Sequence, residues 1–217
     1  MARLILASDF DRTLTDESLT PCHHVLGYIS SLRPEIFFIV ASGRGLEFLK
    51  ENVGIYADAI VAENGAVIMA NGKVIVLGED WSREVRKVVK DGEGIWYGRV
   101  LLYALLSRRE EVEAALRSSG IAYRLERNRE SFMVMPPYVS KGRGVEIAIK
   151  EAGLEGTKVA SVGDDMNDLS MYDVSDIRLA IGNSIQELKQ QADLISSLPF
   201  CEGTMELLDR LLRIIKI

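Results

Sequence analysis

Two groups of acidic residues stand where they could bind one cation. Asp9 and Asp11 follow an apolar run in the stretch DFDRTLT, and Asp164 and Asp168 follow another apolar run in the stretch VASVGDDMND. Like charges this close repel one another, so each group is costly unless a cation lies beside it. Each apolar run predicts a buried strand, and open parallel sheets bind ligands at the carboxyl ends of their strands. The two groups are therefore expected to converge.

The expected cation is Mg²⁺. Both groups offer only oxygen ligands, which select a hard cation, and an open, partly hydrated site favours Mg²⁺. For one group alone, a solvated turn rich in Asp and Asn would be the better interpretation. Two such groups, each directly after an apolar run, favour the metal site.

Two further segments suit an anion. The stretch FFIVASGR ends a predicted strand with Ser42, Gly43 and Arg44. A hydroxyl and free backbone N–H groups at a helix start suit phosphate. In VSKGRG, Ser140 is the predicted N-cap and Lys141 lies in the first turn, where a cation conflicts with the helix dipole unless an anion is bound. The alternatives are an ordinary N-cap serine and a solvated lysine.

The composition limits the class of protein. The chain has 217 residues, of which 47% are hydrophobic, enough for one domain and a smaller second one. Its net charge of −6 argues against nucleic acid or an anionic membrane as partner. No apolar run approaches the ~20 residues of a membrane span. We expect a cytoplasmic protein, either a monomer or a homodimer.

Cysteine and histidine give no further site. Cys22 and Cys201 show neither a disulfide framework nor metal-ligand spacing, so each is predicted to be a small apolar filler. His23 and His24 lie in the first predicted helix, away from the acidic groups, and are not predicted to bind metal.

Strand-like and helix-like segments alternate along most of the chain, which predicts an α/β fold with a parallel sheet. Thr20 and Pro21 are predicted to begin the first helix, and Asn71-Gly72 predicts a type I′ hairpin turn. Capping boxes predict helix starts in SRREEVEAALRSSG, at Ser107, and in SIQELKQQ, at Ser184. Gly120 is predicted to end the first of these helices.

Between residues 79 and 138 the pattern changes to helix, strand, helix, strand and strand. The simplest account is a sheet domain, residues 1–78 and 139–217, interrupted by an inserted α+β domain. The insert carries eleven Lys and Arg against ten Asp and Glu, whereas the remainder has a net charge of −7.

Together these stretches resemble the haloacid dehalogenase (HAD) superfamily of phosphohydrolases. The four motifs of that superfamily would be Asp9, Asp11 and Thr13; Ser42; Lys141; and Gly163, Asp164, Asp165 and Asp168. The insert is similar to the C2-type cap of the Cof-like and sucrose-phosphatase-like branches. The resemblance implies a Rossmann-like parallel-sheet core with a small α+β cap.

The resemblance also implies roles for individual residues. Asp9 would attack phosphorus to form an aspartyl-phosphate, and Asp11 would protonate the leaving oxygen and then activate water. Mg²⁺ would be held by Asp9, the backbone carbonyl of Asp11 and Asp164, with Asp168 in support. Ser42 and Lys141 would hold the phosphoryl oxygens. Gly43, Arg44 and Asn167 are further candidate phosphate-binding residues, and Arg44 would face the pocket, pair with an acid of the cap, or point to solvent.

One position departs from the family pattern, because most members have Gly where this chain has Arg12. Arg12 would meet a substrate carboxylate, pair with an acid of the cap, or point to solvent. In the insert, Arg124, Arg127 and Arg129 lie close together, and in a strand Arg127 and Arg129 would share one face and suit a carboxylate. A solvated strand of alternating charge is the alternative.

The favoured function is hydrolysis of a small phosphorylated metabolite, with phosphoglycolate first because short C2-capped members resemble archaeal phosphoglycolate phosphatases. The stretches ASGR and AENGA favour sugar-phosphate phosphatases instead. A phosphomannomutase-type phosphotransferase and a non-enzymatic phosphate-binding protein are the remaining alternatives.

Overall fold

The computed structural model describes residues 2–128 and 130–216. These residues divide into two compact units, of which the smaller is Ile75–Val139 and the larger comprises the described residues on either side of it. The strands are β1 (Leu4–Ser8), β2 (Ile36–Ala41), β3 (Ala59–Ala62), β4 (Val67–Ala70), β5 (Lys73–Val76), β6 (Ile95–Tyr97), β7 (Leu102–Leu105), β8 (Arg124–Asn128), β9 (Ser131–Met135), β10 (Val159–Gly163), β11 (Ile177–Ala180) and β12 (Leu194–Ile195). The α-helices are α1 (His23–Ser31), α2 (Leu46–Val53), α3 (Glu79–Val88), α4 (Arg109–Ser119), α5 (Lys141–Glu151), α6 (Leu169–Tyr172), α7 (Gln186–Gln191) and α8 (Phe200–Ile215).

The larger unit is built on one sheet with the strand order β12-β11-β10-β1-β2-β3-β4-β5. Strands from β12 to β3 pair in parallel, and β4 pairs antiparallel to β3. Strand β1 is buried at every residue, as expected for a central parallel strand covered on both faces. The predicted α/β fold with a parallel-sheet core is confirmed. The register Ser8↔Val162 brings the carboxyl ends of β1 and β10 side by side.

The smaller unit is an antiparallel sheet with the order β6-β7-β9-β8 and two helices, α3 and α4, in contact with each other. Its core residues are Val85, Val89, Ile95, Leu102, Ala104, Val112, Leu116, Phe132 and Val134. The unit has one strand more than its sequence pattern predicted. A turn in which Gly98 N donates to Leu101 O over 2.9 Å divides one apolar run into β6 and β7.

Several local predictions are confirmed. Ser140 caps α5, since its Oγ accepts from Arg143 N at 3.1 Å. Asn71 and Gly72 have φ values of 49° and 73°, and the positive φ at both positions is what a type I′ turn between β4 and β5 requires. Gly120 ends α4 with φ 69°.

No helix of the described ranges is both long enough and apolar enough to cross a membrane.

Three predicted helix starts are wrong. Thr20 and Pro21 do not begin α1, because Pro21 pairs with Thr15 in an isolated β-bridge. Ser107 lies inside a 3₁₀ turn, and neither that turn nor α4 has a side-chain cap. Ser184 does not cap α7, because its hydroxyl accepts from Ile181 N and donates to a carbonyl at the end of β10.

Cys22 and Cys201 form a disulfide bond, so the prediction that they are separate apolar fillers is wrong. Cys22 precedes α1 and Cys201 lies in the first turn of α8, and these two helices are in contact. The bond joins residues 179 positions apart. Two isolated cysteines carry no sign of this pairing, because tertiary packing alone brings them together.

Reduction of the Cys22–Cys201 bond is expected to lower the free energy of unfolding. For a closed loop of this length, restriction of the unfolded chain accounts for up to about 5 kcal/mol. Thermal unfolding with and without reductant measures the effect, and the double variant Cys22→Ser/Cys201→Ser should be insensitive to reductant. Titration of two free thiols in the denatured, unreduced protein would contradict the disulfide.

Candidate active site

The centre of the candidate site is a buried contact between Asp9, Lys141 and Asp168. Asp9 follows β1, where its N–H donates to Val162 O at 2.9 Å. Lys141 Nζ lies 2.6 Å from Asp9 Oδ1 and 2.6 Å from Asp168 Oδ1. None of the three residues is more than 4% exposed. One ammonium group thus bridges two carboxylates out of contact with bulk water.

Glycines allow the first turn of α5 to approach its neighbours closely and so place Lys141. A Cβ on Gly142 would lie 1.8 Å from Ser170 O, and a Cβ on Gly65 would lie 2.0 Å from Ser140 O. Gly65 also has φ +98°, which glycine adopts readily. Larger residues at either position would displace the start of α5 and, with it, the ammonium group.

Asp168 organises the loop after β10. Its Oδ2 accepts from the backbone N of Asp164 at 2.9 Å and of Asp165 at 3.0 Å. Gly163 leaves room for this, because a Cβ there would lie 2.4 Å from Asp168 Cγ. With Oδ1 bonded to Lys141, both oxygens of Asp168 are engaged.

Negative charge exceeds positive charge in this cluster. Burial raises the pKa of Asp9 well above its usual value, and Asp168 and Asp164 add to the effect that Lys141 opposes. Burial and the charge of Asp168 raise the pKa of Asp164 to about 7. Burial by itself would lower the pKa of Lys141, but Asp168 and Asp9 outweigh it and raise that pKa. One lysine does not balance three carboxylates.

The same residues fit a hard divalent cation. Asp9, Asp164 and Asp168 each offer a carboxylate oxygen, and these oxygens lie within 4.8 Å of one another. Across the described residues, the Asp11 carbonyl oxygen accepts no hydrogen bond, which leaves it open as a further oxygen ligand. An all-oxygen donor set with surplus negative charge suits Mg²⁺.

Asp11 is paired with Arg44. Nε and Nη2 of Arg44 lie 2.9 Å from Asp11 Oδ2 and Oδ1, respectively, so the pair is bidentate. The guanidinium carbon of Arg44 also lies 5.1 Å from the centre of the Phe48 ring. Arg44 therefore engages both carboxylate oxygens of Asp11.

The other predicted phosphate-binding residues follow the carboxyl ends of two strands of the sheet. Ser42 follows β2 and is buried, and its Oγ accepts from Arg44 N at 3.2 Å. Gly43 lies between these two residues in the same loop. Asn167 follows β10, and its Nδ2 donates to Asn64 Oδ1 at 3.3 Å.

Asn183 is a further candidate site residue, which the sequence interpretation missed. Its Nδ2 lies 3.2 Å from Asp164 Oδ2 and 3.2 Å from Arg12 O, and its Oδ1 accepts from Phe200 N at 2.6 Å. Asn183 therefore connects the loop after β1 with the loop after β10. Asn183 follows β11, so the rule that strand ends carry ligands could have found it.

The carboxylates and the Ser42–Arg44 loop lie at adjacent strand ends, where α/β sheets bind their ligands, and a buried lysine from the start of α5 joins them. Residues 99–199 match the haloacid dehalogenase-like hydrolase family. Phosphoglycolate phosphatase 2 of Saccharolobus solfataricus is 33% identical, over 96% of this chain and 92% of that protein. The phosphoglycolate phosphatase of Sulfurisphaera tokodaii is 29% identical, over 96% and 94%.

The chain belongs to the haloacid dehalogenase-like hydrolases. The predicted enzyme class, a phosphatase of this family, is confirmed by these relatives. The solved structure of the HAD subclass IIB sugar phosphatase BT4131 superposes with a TM-score of 0.72 at 18% identity, covering 95% of this chain and 98% of that one. That similarity shows the shared fold.

Proposed function

We propose that the chain is a Mg²⁺-dependent phosphatase of a small phosphorylated metabolite, with phosphoglycolate as the favoured substrate. The observation that carries the proposal is the buried Asp9–Lys141–Asp168 contact beside Asp164, at the adjacent ends of β1 and β10. The two archaeal relatives, both phosphoglycolate phosphatases, support the substrate. Such metabolites are charged and retained within the cell, which supports a cytoplasmic location.

Asp9 is the proposed nucleophile. Its Oδ1 accepts from Lys141, which fixes the carboxylate and leaves Oδ2 to attack phosphorus. The new bond is an aspartyl-phosphate, and the bond from phosphorus to the alcohol oxygen breaks. Water then attacks the phosphorus and frees Asp9. Splitting the displacement in this way replaces one difficult step with two easier ones.

Asp11 is the proposed proton carrier for both steps. It would give a proton to the leaving alcohol oxygen and later take one from the attacking water. Arg44 would leave Asp11 for the oxygens of the phosphoryl group, an exchange of one bidentate acceptor for another. Ser42 and Asn167 would donate to the same oxygens as charge spreads over them.

The proposed metal ligands are the carboxylates of Asp9 and Asp164 and the carbonyl of Asp11. Bound Mg²⁺ would neutralise the repulsion between Asp9 and the phosphate. Both oxygens of Asp168 are engaged with Lys141 and backbone amides. Asp168 would therefore support the metal by holding Asp164 and Lys141 in place.

We propose that residues 79–138 act as a C2-type cap that excludes water.

The three arginines of the insert, Arg124, Arg127 and Arg129, are not part of the proposed substrate-binding site. Arg127 shares a strand face with Leu125, which packs in the core beneath the helices, and Arg124 pairs with Glu126 at 2.8 Å. Arg129 lies outside the described residues.

A sugar phosphate is the second candidate substrate, because BT4131 shares the fold. A phosphomannomutase-type enzyme would use the same nucleophile but would yield an isomerised sugar phosphate instead of free phosphate. A non-enzymatic phosphate-binding protein would turn over no phosphomonoester. Product analysis separates the three.

Release of phosphate from phosphoglycolate, a hexose phosphate and an aryl phosphate should require Mg²⁺ and should stop in excess chelator. The variant Asp164→Asn should need at least about tenfold more Mg²⁺ for half-maximal rate, since it loses a charged ligand. Undiminished activity in chelator would contradict the metal assignment. If kcat/KM for the hexose phosphate exceeds that for phosphoglycolate by more than about tenfold, or ~1.4 kcal/mol in transition-state binding, a sugar phosphate becomes the proposed substrate instead of phosphoglycolate.

A further inference from the structure

Arg12 has an unusual backbone conformation for its residue type. Its φ of 60° lies in the left-handed region, which glycine enters freely and which the Cβ atom makes costly for other residues. The conformation is held from both sides, because Arg12 N donates to Thr15 Oγ1 at 2.7 Å and Arg12 O lies 3.2 Å from Asn183 Nδ2. The chain therefore keeps an arginine where glycine would fit without strain.

The guanidinium group of Arg12 is not satisfied by the protein. Its Nε is buried and makes no hydrogen bond. In the part of the chain that the structure describes, the group forms no ion pair either. A buried N–H without an acceptor is costly, so an acceptor supplied by a bound molecule would stabilise this arrangement.

The position of Arg12 places this unpaired charge at the candidate site. Arg12 directly follows Asp11, the proposed proton carrier for the leaving group, and Asn183 Nδ2 lies 3.2 Å from both Arg12 O and Asp164 Oδ2, which places Arg12 beside the acidic cluster. The other two site cations have partners among the described residues, and both are assigned to the reacting groups: Arg44 pairs with Asp11 and would move to the phosphoryl oxygens, and Lys141 binds Asp9 and Asp168. Arg12 is the cation that remains for the non-phosphate part of a substrate.

We propose that Arg12 binds the carboxylate of the leaving group and thereby selects phosphorylated hydroxy acids over neutral phosphomonoesters. The inference rests on the proposed phosphatase function and deepens it by naming the residue that recognises the carboxylate of the substrate. A planar guanidinium is well suited to a carboxylate, which it can bind through two parallel hydrogen bonds.

The test compares kcat/KM for 2-phosphoglycolate with kcat/KM for 2-hydroxyethyl phosphate, in which an uncharged CH₂OH replaces the carboxylate. The native protein should favour phosphoglycolate by at least about tenfold. In Arg12→Gln and Arg12→Gly this ratio should fall by at least about tenfold, because the carboxylate loses its partner. Arg12→Gly should fold, since glycine adopts the left-handed conformation without strain.

The matched control is Arg213→Gln, an exposed arginine on α8, which should keep the native ratio. An unchanged ratio in both folded Arg12 variants would overturn the role of Arg12 and leave the phosphatase intact. A native protein without preference for phosphoglycolate would overturn the selection itself. A native protein that hydrolyses neither these compounds nor a hexose phosphate nor an aryl phosphate in Mg²⁺ would overturn the proposed function, and the inference with it.

Discussion

Replacement of Asp9 by Asn is expected to reduce phosphatase turnover by roughly 10⁴-fold or more. Asn has the shape of Asp but no carboxylate oxygen with which to attack phosphorus. The loss should appear in kcat with a good aryl phosphate as well as with phosphoglycolate, because bond formation to phosphorus is the step removed. Steady-state phosphate release measures it.

The same substitution should leave the fold intact. Asp9 lies in a cluster with surplus negative charge, and Lys141 keeps Asp168 as its partner when Asp9 is neutralised. The thermal midpoint is therefore expected to stay level or to rise. Asp173→Asn, at an exposed position after α6, is the control and should keep native turnover. Retention of more than about a tenth of native kcat in Asp9→Asn would refute its role as nucleophile.

Replacement of Lys141 by Met is expected to have the largest combined effect. The substitution leaves Asp9 and Asp168 buried without their shared cation. Removal of one partner from a buried ion pair typically costs about 3–5 kcal/mol in folding free energy. Activity should fall by roughly 10³-fold, as after loss of one preorganised donor to the reacting group. Denaturant unfolding and kcat are the two measurements.

A second substitution separates charge balance from catalysis. Lys141→Met combined with Asp168→Asn removes one of the two unpaired carboxylates and should recover part of the lost stability, but no activity. Lys150→Met, on an exposed face of the same helix, should change neither property. If Lys141→Met kept native stability and native turnover, the result would contradict both proposed roles of Lys141, charge balance in the buried cluster and support of catalysis.

The convergence of Asp9 and Asp164 follows from simple rules. Each residue comes directly after an apolar run, both runs form buried parallel strands, and the strands pair side by side. The N-cap at Ser140 was also predictable, because its side chain accepts a hydrogen bond from Arg143 N, only three residues further along the chain. Much of the candidate site can therefore be predicted from local sequence patterns and from the residues that follow the strands.

Contacts between distant side chains were not predictable in this way. The bidentate Arg44–Asp11 pair depends on side-chain conformations at two separate strand ends. The Cys22–Cys201 bond depends on the packing of the first helix against the last. Thr20 does not cap α1, because the neighbouring Pro21 forms an isolated β-bridge with Thr15. In each case a tertiary contact overrides or adds to the local pattern.

Trapping the phosphorylated enzyme tests the central claim most directly. Asp11→Asn should slow attack by water more than it slows phosphorylation by an aryl phosphate, whose leaving group needs no proton. Acid quenching of this variant with labelled aryl phosphate and Mg²⁺ should therefore leave the phosphoryl group on the peptide that contains Asp9. The same peptide from Asp9→Asn should carry none. Steady phosphate release with no label on the Asp9 peptide, or label on another residue, would contradict the account.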